Sequence, residues 1–267
     1  MSTTTAPTES APQPTGASAA RPPVDVSGDR VPFARLAAIE VRKMVDTRAG
    51  LWMLITMAGI GFLVAGGLVI WGQEQDHRYP TFLGFITMPL MLLLPIMGIM
   101  SATQEWSQRT GLATFTLVPR RGRIIAAKVV AALVLCLVLL AAGAGAAALA
   151  TLVSGGEFTL TGISLAGVVL TALVFTLQGV AFGAAFLNTP IAIVASLALP
   201  TVWTILTAMI ERMAQVATWL DLNLVTGPLT EGTMTGENWA QLATGSAMWV
   251  GLPLVIGSYR ILTREIK

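Results

Sequence analysis

Six apolar stretches, each about as long as a helix needs to cross a hydrocarbon core, leave this chain few ways to fold. They run roughly Leu51–Trp71, Phe82–Met100, Ile124–Val153, Ile163–Leu187, Pro190–Ile210 and Leu242–Tyr259. No Asp, Glu, Lys, Arg or His interrupts them, apart from Lys128 at the opening of the third. In lipid, every backbone polar group must be satisfied within its own segment. The stretches therefore predict six transmembrane helices and an all-α integral membrane protein. Hydrophobic residues are 54% of the chain and charged residues 11%, too few charges to clothe a soluble domain of this size.

The charges that remain are sorted by side. Arg30, Arg35, Arg42, Lys43 and Arg48 precede the first span. Arg109, Arg120, Arg121, Arg123 and Lys128 fall between the second and third. Arg260, Arg264 and Lys267 close the chain. The opposite loops hold Arg78 and Arg212 among Glu74, Asp76, Glu157, Glu211, Asp221, Glu231 and Glu237. Short basic loops stay in the cytoplasm, so both termini are expected inside. An even number of spans requires the same. The high isoelectric point reflects this bias and gives no reason to expect nucleic-acid binding.

Residues 1–30 are Ser, Thr, Ala and Pro with few large apolar side chains. Such a segment buries too little surface to offset its ordering entropy, and disorder is expected. From Phe33 to Arg48, helical spacing places Phe33, Ala37, Val41, Met44 and Val45 on one face, with Arg35, Arg42 and Asp46 opposite. An amphipathic helix over 31–50, lying in the interface plane, is predicted. It reads equally as an elbow meeting a cytoplasmic partner and as a plain membrane anchor.

The loop SATQEWSQRTGLATFTLVPRRGRIIAAK, from Ser101 to Lys128, is too long for a turn. A short helix between Gln104 and Val118 is predicted, interrupted near Gly111 and stopped by Pro119. Glu105 and Arg109 are spaced as an i,i+4 pair. A positive-inside anchor explains the arginines. It explains less well why Glu105 sits directly at the end of the second span.

Glu105, Thr110-Gly111, Pro119-Arg120-Arg121 and Lys128, set in a six-span chain with an amphipathic entry helix, resemble the permease subunit of an ABC-2 type ABC transporter. The resemblance covers about residues 33–267. It implies that the loop after the second span holds a coupling helix, around Glu105 to Thr116, that seats on an ATPase. The contact set it implies is Glu105, Arg109, Thr110, Gly111, Thr114, Pro119, Arg120 and Arg121, joined by Glu40 and Arg42 of the entry helix. The turn at Asn188-Thr189-Pro190 would make a smaller contact. Outer reentrant helices would occupy 211–241. A second permease copy or paralogue, two ATPase subunits and a bacterial plasma membrane complete the expectation. No cofactor is expected in this chain, since ATP and Mg would be bound by the partner ATPase.

The chain lacks the G-x-x-x-x-G-K-[ST] phosphate loop, and no Gly-Lys dipeptide occurs in it. With Lys128 the sole charged residue in the spans, a proton- or ion-coupled carrier and an intramembrane hydrolase are both disfavoured. One histidine, His77, and one cysteine, Cys136, make neither a metal site nor an internal disulfide. His77 is expected to be solvated and Cys136 to be packing, as are the methionines of the second span. Gly179 and Gly183 give a GxxxG step in the fourth span, with smaller surfaces at Gly66/Gly67 and Gly143/Gly145. Kinks are expected at Pro89, Pro95, Pro200 and Pro253. Thr171, Gln178, Thr201, Thr204 and Thr207 are the polar residues best placed to line a pathway, although the threonines are equally suited to bonding carbonyls one turn back. The function expected is a permease for a hydrophobic or amphiphilic substrate such as a drug, antibiotic, peptide or lipid. The rival is a polytopic membrane assembly or sensory protein without transport.

Overall fold

The computed structural model describes residues 31–108, 110, 111, 114, 116, 120–159 and 163–263. The tail 1–30, where disorder was expected, lies outside the described residues. Helices follow one another as α1 (Phe33–Asp46), α2 (Arg48–Trp71), α3 (Tyr79–Ser107), α4 (Arg121–Val153), α5 (Leu165–Phe186) and α6 (Thr189–Met209). Two short helices come next, α7 (Ala214–Leu220) and α8 (Leu222–Glu231). The last long helix, Gly236–Thr263, is built from α9 (Gly236–Ser246), a π turn at Ala247–Gly251 and α10 (Leu252–Thr263). Among the described residues there is no strand, only an isolated bridge between Arg78 and Glu157.

Six helices are long and apolar enough to cross a membrane: α2 to α6 and Gly236–Thr263. The chain thus fits a multi-pass membrane protein. Two boundaries differ by more than four residues from those read off hydropathy. The second apolar helix continues past Met100 to Ser107. The sixth starts at Gly236 rather than Leu242, because Thr235 and Asn238 form a capping box there. The expected reentrant segment 211–241 comprises the 3-10 turn Glu211–Met213, α7, α8 and the first turns of α9.

Caps set the other starts. The Thr47 hydroxyl accepts from Gly50 N and opens α2, Ser164 does the same for α5, and Asn188 for α6. Gly50 also has a steric role. A Cβ there would fall 1.7 Å from the Met44 carbonyl oxygen, so only glycine lets the chain turn from α1 into α2. Pro89 and Pro95 lie within a continuous α3, and Pro200 within α6. Pro253 follows the π turn, which accommodates the amide it lacks.

Burial separates centre from rim. Over half of the most apolar windows of α3 and α5 is buried (56% each), against 17% for α2 and α6. The central pair meets backbone to backbone. A Cβ on Gly98 would lie 2.5 Å from the Thr176 carbonyl oxygen, and one on Gly179 only 1.9 Å from that of Pro95. Gly183 faces Ile99 and Ala102. The GxxxG step of the fourth span thus packs on the second span. Gly66 and Gly145 face open space, and these serve no such contact. Cys136 is fully buried, as expected of packing.

Gly179→Val is expected to force α3 and α5 apart and cost at least the roughly 1–3 kcal/mol of an overpacked core. Thermal unfolding in detergent, followed by a thiol-reactive dye that reaches Cys136 only on opening, reads this out. Gly145→Ala, which meets nothing, should melt with the wild type.

Candidate functional site

At the end of the bundle that carries α1, two glutamates and two lysines form a closed cluster. Lys128, in the second turn of α4, places its ammonium 2.8 Å from Glu40 Oε2 and 2.7 Å from Glu105 Oε1. It also donates, at 2.9 Å, to the Ser101 carbonyl oxygen. Two hydrogen bonds and one further ion pair thus surround the ammonium. Lys43 lies 2.7 Å from Glu40 Oε1 and 3.3 Å from Glu105 Oε1. Glu40 and Glu105 are 1% and 2% exposed, so neither carboxylate meets bulk water.

The local sequence explains the placement. α1 packs chiefly on α4, where Leu36 and Ala37 meet Ile124 and Ala127. The buried face of α1 is Leu36, Ala37, Glu40 and Met44. It is rotated from the face predicted by hydropathy: Phe33 is exposed and Val41 and Val45 are half-buried. Lys128 drives that rotation, because a lysine at the mouth of an apolar helix needs counter-charge. The Gln104 amide donates to the Lys43 carbonyl at 3.4 Å and helps hold α3 against α1.

Electrostatics follow from this burial. Desolvation pushes the Glu40 pKa up, but Lys128 and Lys43 together outweigh it and hold it below the ordinary 4.5. Desolvation also pushes Lys43 down, and Glu40 and Glu105 reverse that and raise it above 10.5. Glu40 thus adds stability that is present above 4.5 and is lost as pH falls through its lower folded value. Lys43 adds stability that is present below 10.5 and is lost as pH rises through its higher one.

Beside the cluster lies a surface depression of about 380 Å³. Arg42 and Asp46 line it from α1, Gln104, Glu105 and Gln108 from the end of α3, and Thr110 and Thr114 from the loop. Four residues singled out in the sequence, Arg42, Glu105, Thr110 and Thr114, therefore come together from two distant segments. Arg42 is exposed and paired with Asp46 at 2.9 Å, a contact worth little to stability. Gly111 is buried. Arg120 is exposed, and Arg121 donates to the Ile261 carbonyl at 2.8 Å, tying α4 to α10. Arg109 and Pro119 lie outside the described residues, so the expected Glu105–Arg109 pair does too. Among the described residues, the cations that face Glu105 are Lys43 and Lys128. Glu40, like Glu105, faces inward: it braces the depression from behind.

The polar residues expected to line a pathway divide. Gln178 and Thr201 line a groove of about 560 Å³ between α2, α3, α5, α6 and the start of α8. Thr171 is buried with its hydroxyl unbonded and does not reach the groove. Thr201 and Thr207 bond carbonyls one turn back, the alternative role open to them in the sequence. Thr204 lies 2.5 Å from a carboxylate oxygen of Asp221. Asp221, grouped with the outer charges on sequence, is only 1% exposed and caps α8 through Asn223 N and Leu224 N. Hydropathy cannot foresee that, but an Asp just before Leu-Asn-Leu-Val is an N-cap signal. His77 is half-buried, 3.2 Å from the Leu68 carbonyl oxygen, rather than solvated. Met88 opens onto the groove rather than packing within the bundle.

No protein-family model matches this chain, and no curated protein matches it.

Lys128→Met would leave two buried carboxylates short of a cation, a loss of about 3–5 kcal/mol by analogy with broken buried pairs. Adding Glu40→Gln to Lys128→Met should recover part of the fall in melting temperature. The wild-type midpoint should hold between 4.5 and 10.5, as far as Glu40 and Lys43 contribute. A loss of cluster stability well above 4.5 on acidification would contradict the depressed Glu40 pKa.

Proposed function

We propose that this chain is the permease subunit of an ATP-driven ABC exporter of the ABC-2 type, working with a separate ATPase and a second permease. The observation that carries this reading is the depression shared by Arg42, Glu105, Thr110 and Thr114. It is a concave surface between α1, the end of α3 and the loop that follows, braced from inside by a charge cluster that joins α1, α3 and α4. A helix of the ATPase seated there would push on α1 and on the α3–α4 loop together. The Lys128 cluster would pass that push to the end of α3 and the start of α4.

The distribution of charge supports the same orientation. Arg35, Arg42, Lys43, Arg48, Arg120, Arg121, Arg123 and Arg260 belong to the end with α1, and Glu74, Asp76, Glu157, Glu211, Glu231 and Glu237 to the connections at the other. By the positive-inside rule the α1 end faces the cytoplasm of a bacterial cell, where ATP is supplied. The six apolar stretches hold one ion-paired lysine and otherwise apolar and neutral side chains, which suits a hydrophobic or amphiphilic substrate. ATP and Mg belong to the partner ATPase, and no catalytic residue is assigned in this chain.

A mild-detergent pulldown of the tagged chain, analysed by mass spectrometry, tests the reading. A stoichiometric soluble ATPase should co-purify, and Thr110→Arg or Thr114→Arg should remove it while melting stays unchanged. Glu105→Ala should weaken coupling and lower the substrate-stimulated ATPase rate. If no ATPase is recovered while other membrane complexes survive, the chain is a non-transport membrane protein.

A further inference from the structure

The groove of about 560 Å³ has a composition that selects its occupant. Its walls are Phe85, Met88, Pro95, Phe175, Leu197 and Pro200. Its polar members are Gln178, Ser196, Thr201 and Asn223, and none of its lining residues carries charge. Ser196 and Thr201 donate to Ile193 and Leu197 carbonyls of their own helix. Gln178 is different. It is 3% exposed, yet its carboxamide has no hydrogen-bond partner among the described residues. With no protein partner, this amide keeps both a donor and an acceptor for a molecule in the groove. The Asn223 side chain, at the other end of the wall, also lacks a partner among the described residues.

The prolines add acceptors. Pro89, Pro95 and Pro200 have no N–H to offer the carbonyl four residues earlier. Those carbonyls belong to Phe85, Met91 and Ser196, and all three residues line this groove. The apolar trough therefore carries the Gln178 and Asn223 carboxamides, beside three residues whose carbonyls lack their usual helical donor. An ion would meet no countercharge among the lining residues. A plain hydrocarbon would leave the amide unpaired.

We propose that this groove binds a neutral lipophile bearing a hydroxyl or amide group, with Gln178 as its recognition residue. Binding itself needs no ATPase; only the transport of a bound lipophile rests on the permease reading.

The test uses the full chain in phosphatidylcholine nanodiscs and an alkyne-tagged, photoactivatable monoacylglycerol. Fatty-acid and alkylamine analogues of equal chain length serve as charged comparisons. The neutral probe should label α3, α5 and α6 peptides around the groove, and unlabelled monoacylglycerol should compete. Gln178→Leu should reduce that labelling about fivefold, the loss of one hydrogen bond, with other sites unaffected. Met88→Trp, at an exposed wall position, should reduce it without touching the amide. Equal labelling by all three probes, or unchanged labelling in Gln178→Leu, would mean that bulk lipid fills the groove and would overturn the proposal. Exclusion of every probe, with groove residues cross-linking to a second copy, would overturn it too. Either result leaves the ATPase pulldown unaffected, so the two readings fail separately.

Discussion

An ammonium placed in the second turn of an apolar helix must find negative charge nearby, and the α1 end is organised around that requirement. Lys128 draws one carboxylate from α1 and another from the end of α3. A cation left alone there would cost several kcal/mol, so the three segments cannot separate cheaply. Lys43 balances the second negative charge, and the cluster is neutral overall. Well-packed apolar residues often match such a group in stability. They would not fix the register of α1 on α3 and α4 so tightly, and in our account the ion pairs are retained for that register.

Below the cluster the bundle relies on shape. Gly98 and Gly179 let α3 and α5 approach to backbone contact, where lipid offers no hydrophobic drive and close packing carries association. The same central pair forms one wall of the groove, through Pro95 and Gln178. A rigid seam thus lies directly behind the Gln178 carboxamide. α2 and α6, little buried, stand at the groove's sides. Movement of either rim helix would change the width of the groove without disturbing the seam.

Much of this was legible in the sequence, and the losses have physical causes. Hydropathy located all six long helices, because lipid leaves the backbone no other choice. It misjudged the buried face of α1, since it counts a glutamate as solvent-facing and cannot see a lysine 88 positions away. It missed the burial of Asp221 for the same reason: the partners are two amides of α8 and a threonine of α6. The GxxxG step pointed correctly to close packing but not to its partner, which depends on topology. Gln178 was visible as a polar residue in a span. That it is unbonded, while the threonines of α6 satisfy themselves, only the fold could reveal.

Lys128, in this view, is what holds α1 onto the helices behind it. Hydrogen–deuterium exchange of the α1 amides in nanodiscs tests it most directly, comparing the wild type with Lys128→Met. We expect residues 36–46 to be protected in the wild type and to exchange at least about tenfold faster in the variant, with α5 unchanged. Equal protection of α1 in both proteins would show that apolar packing alone seats the helix, and would contradict the account.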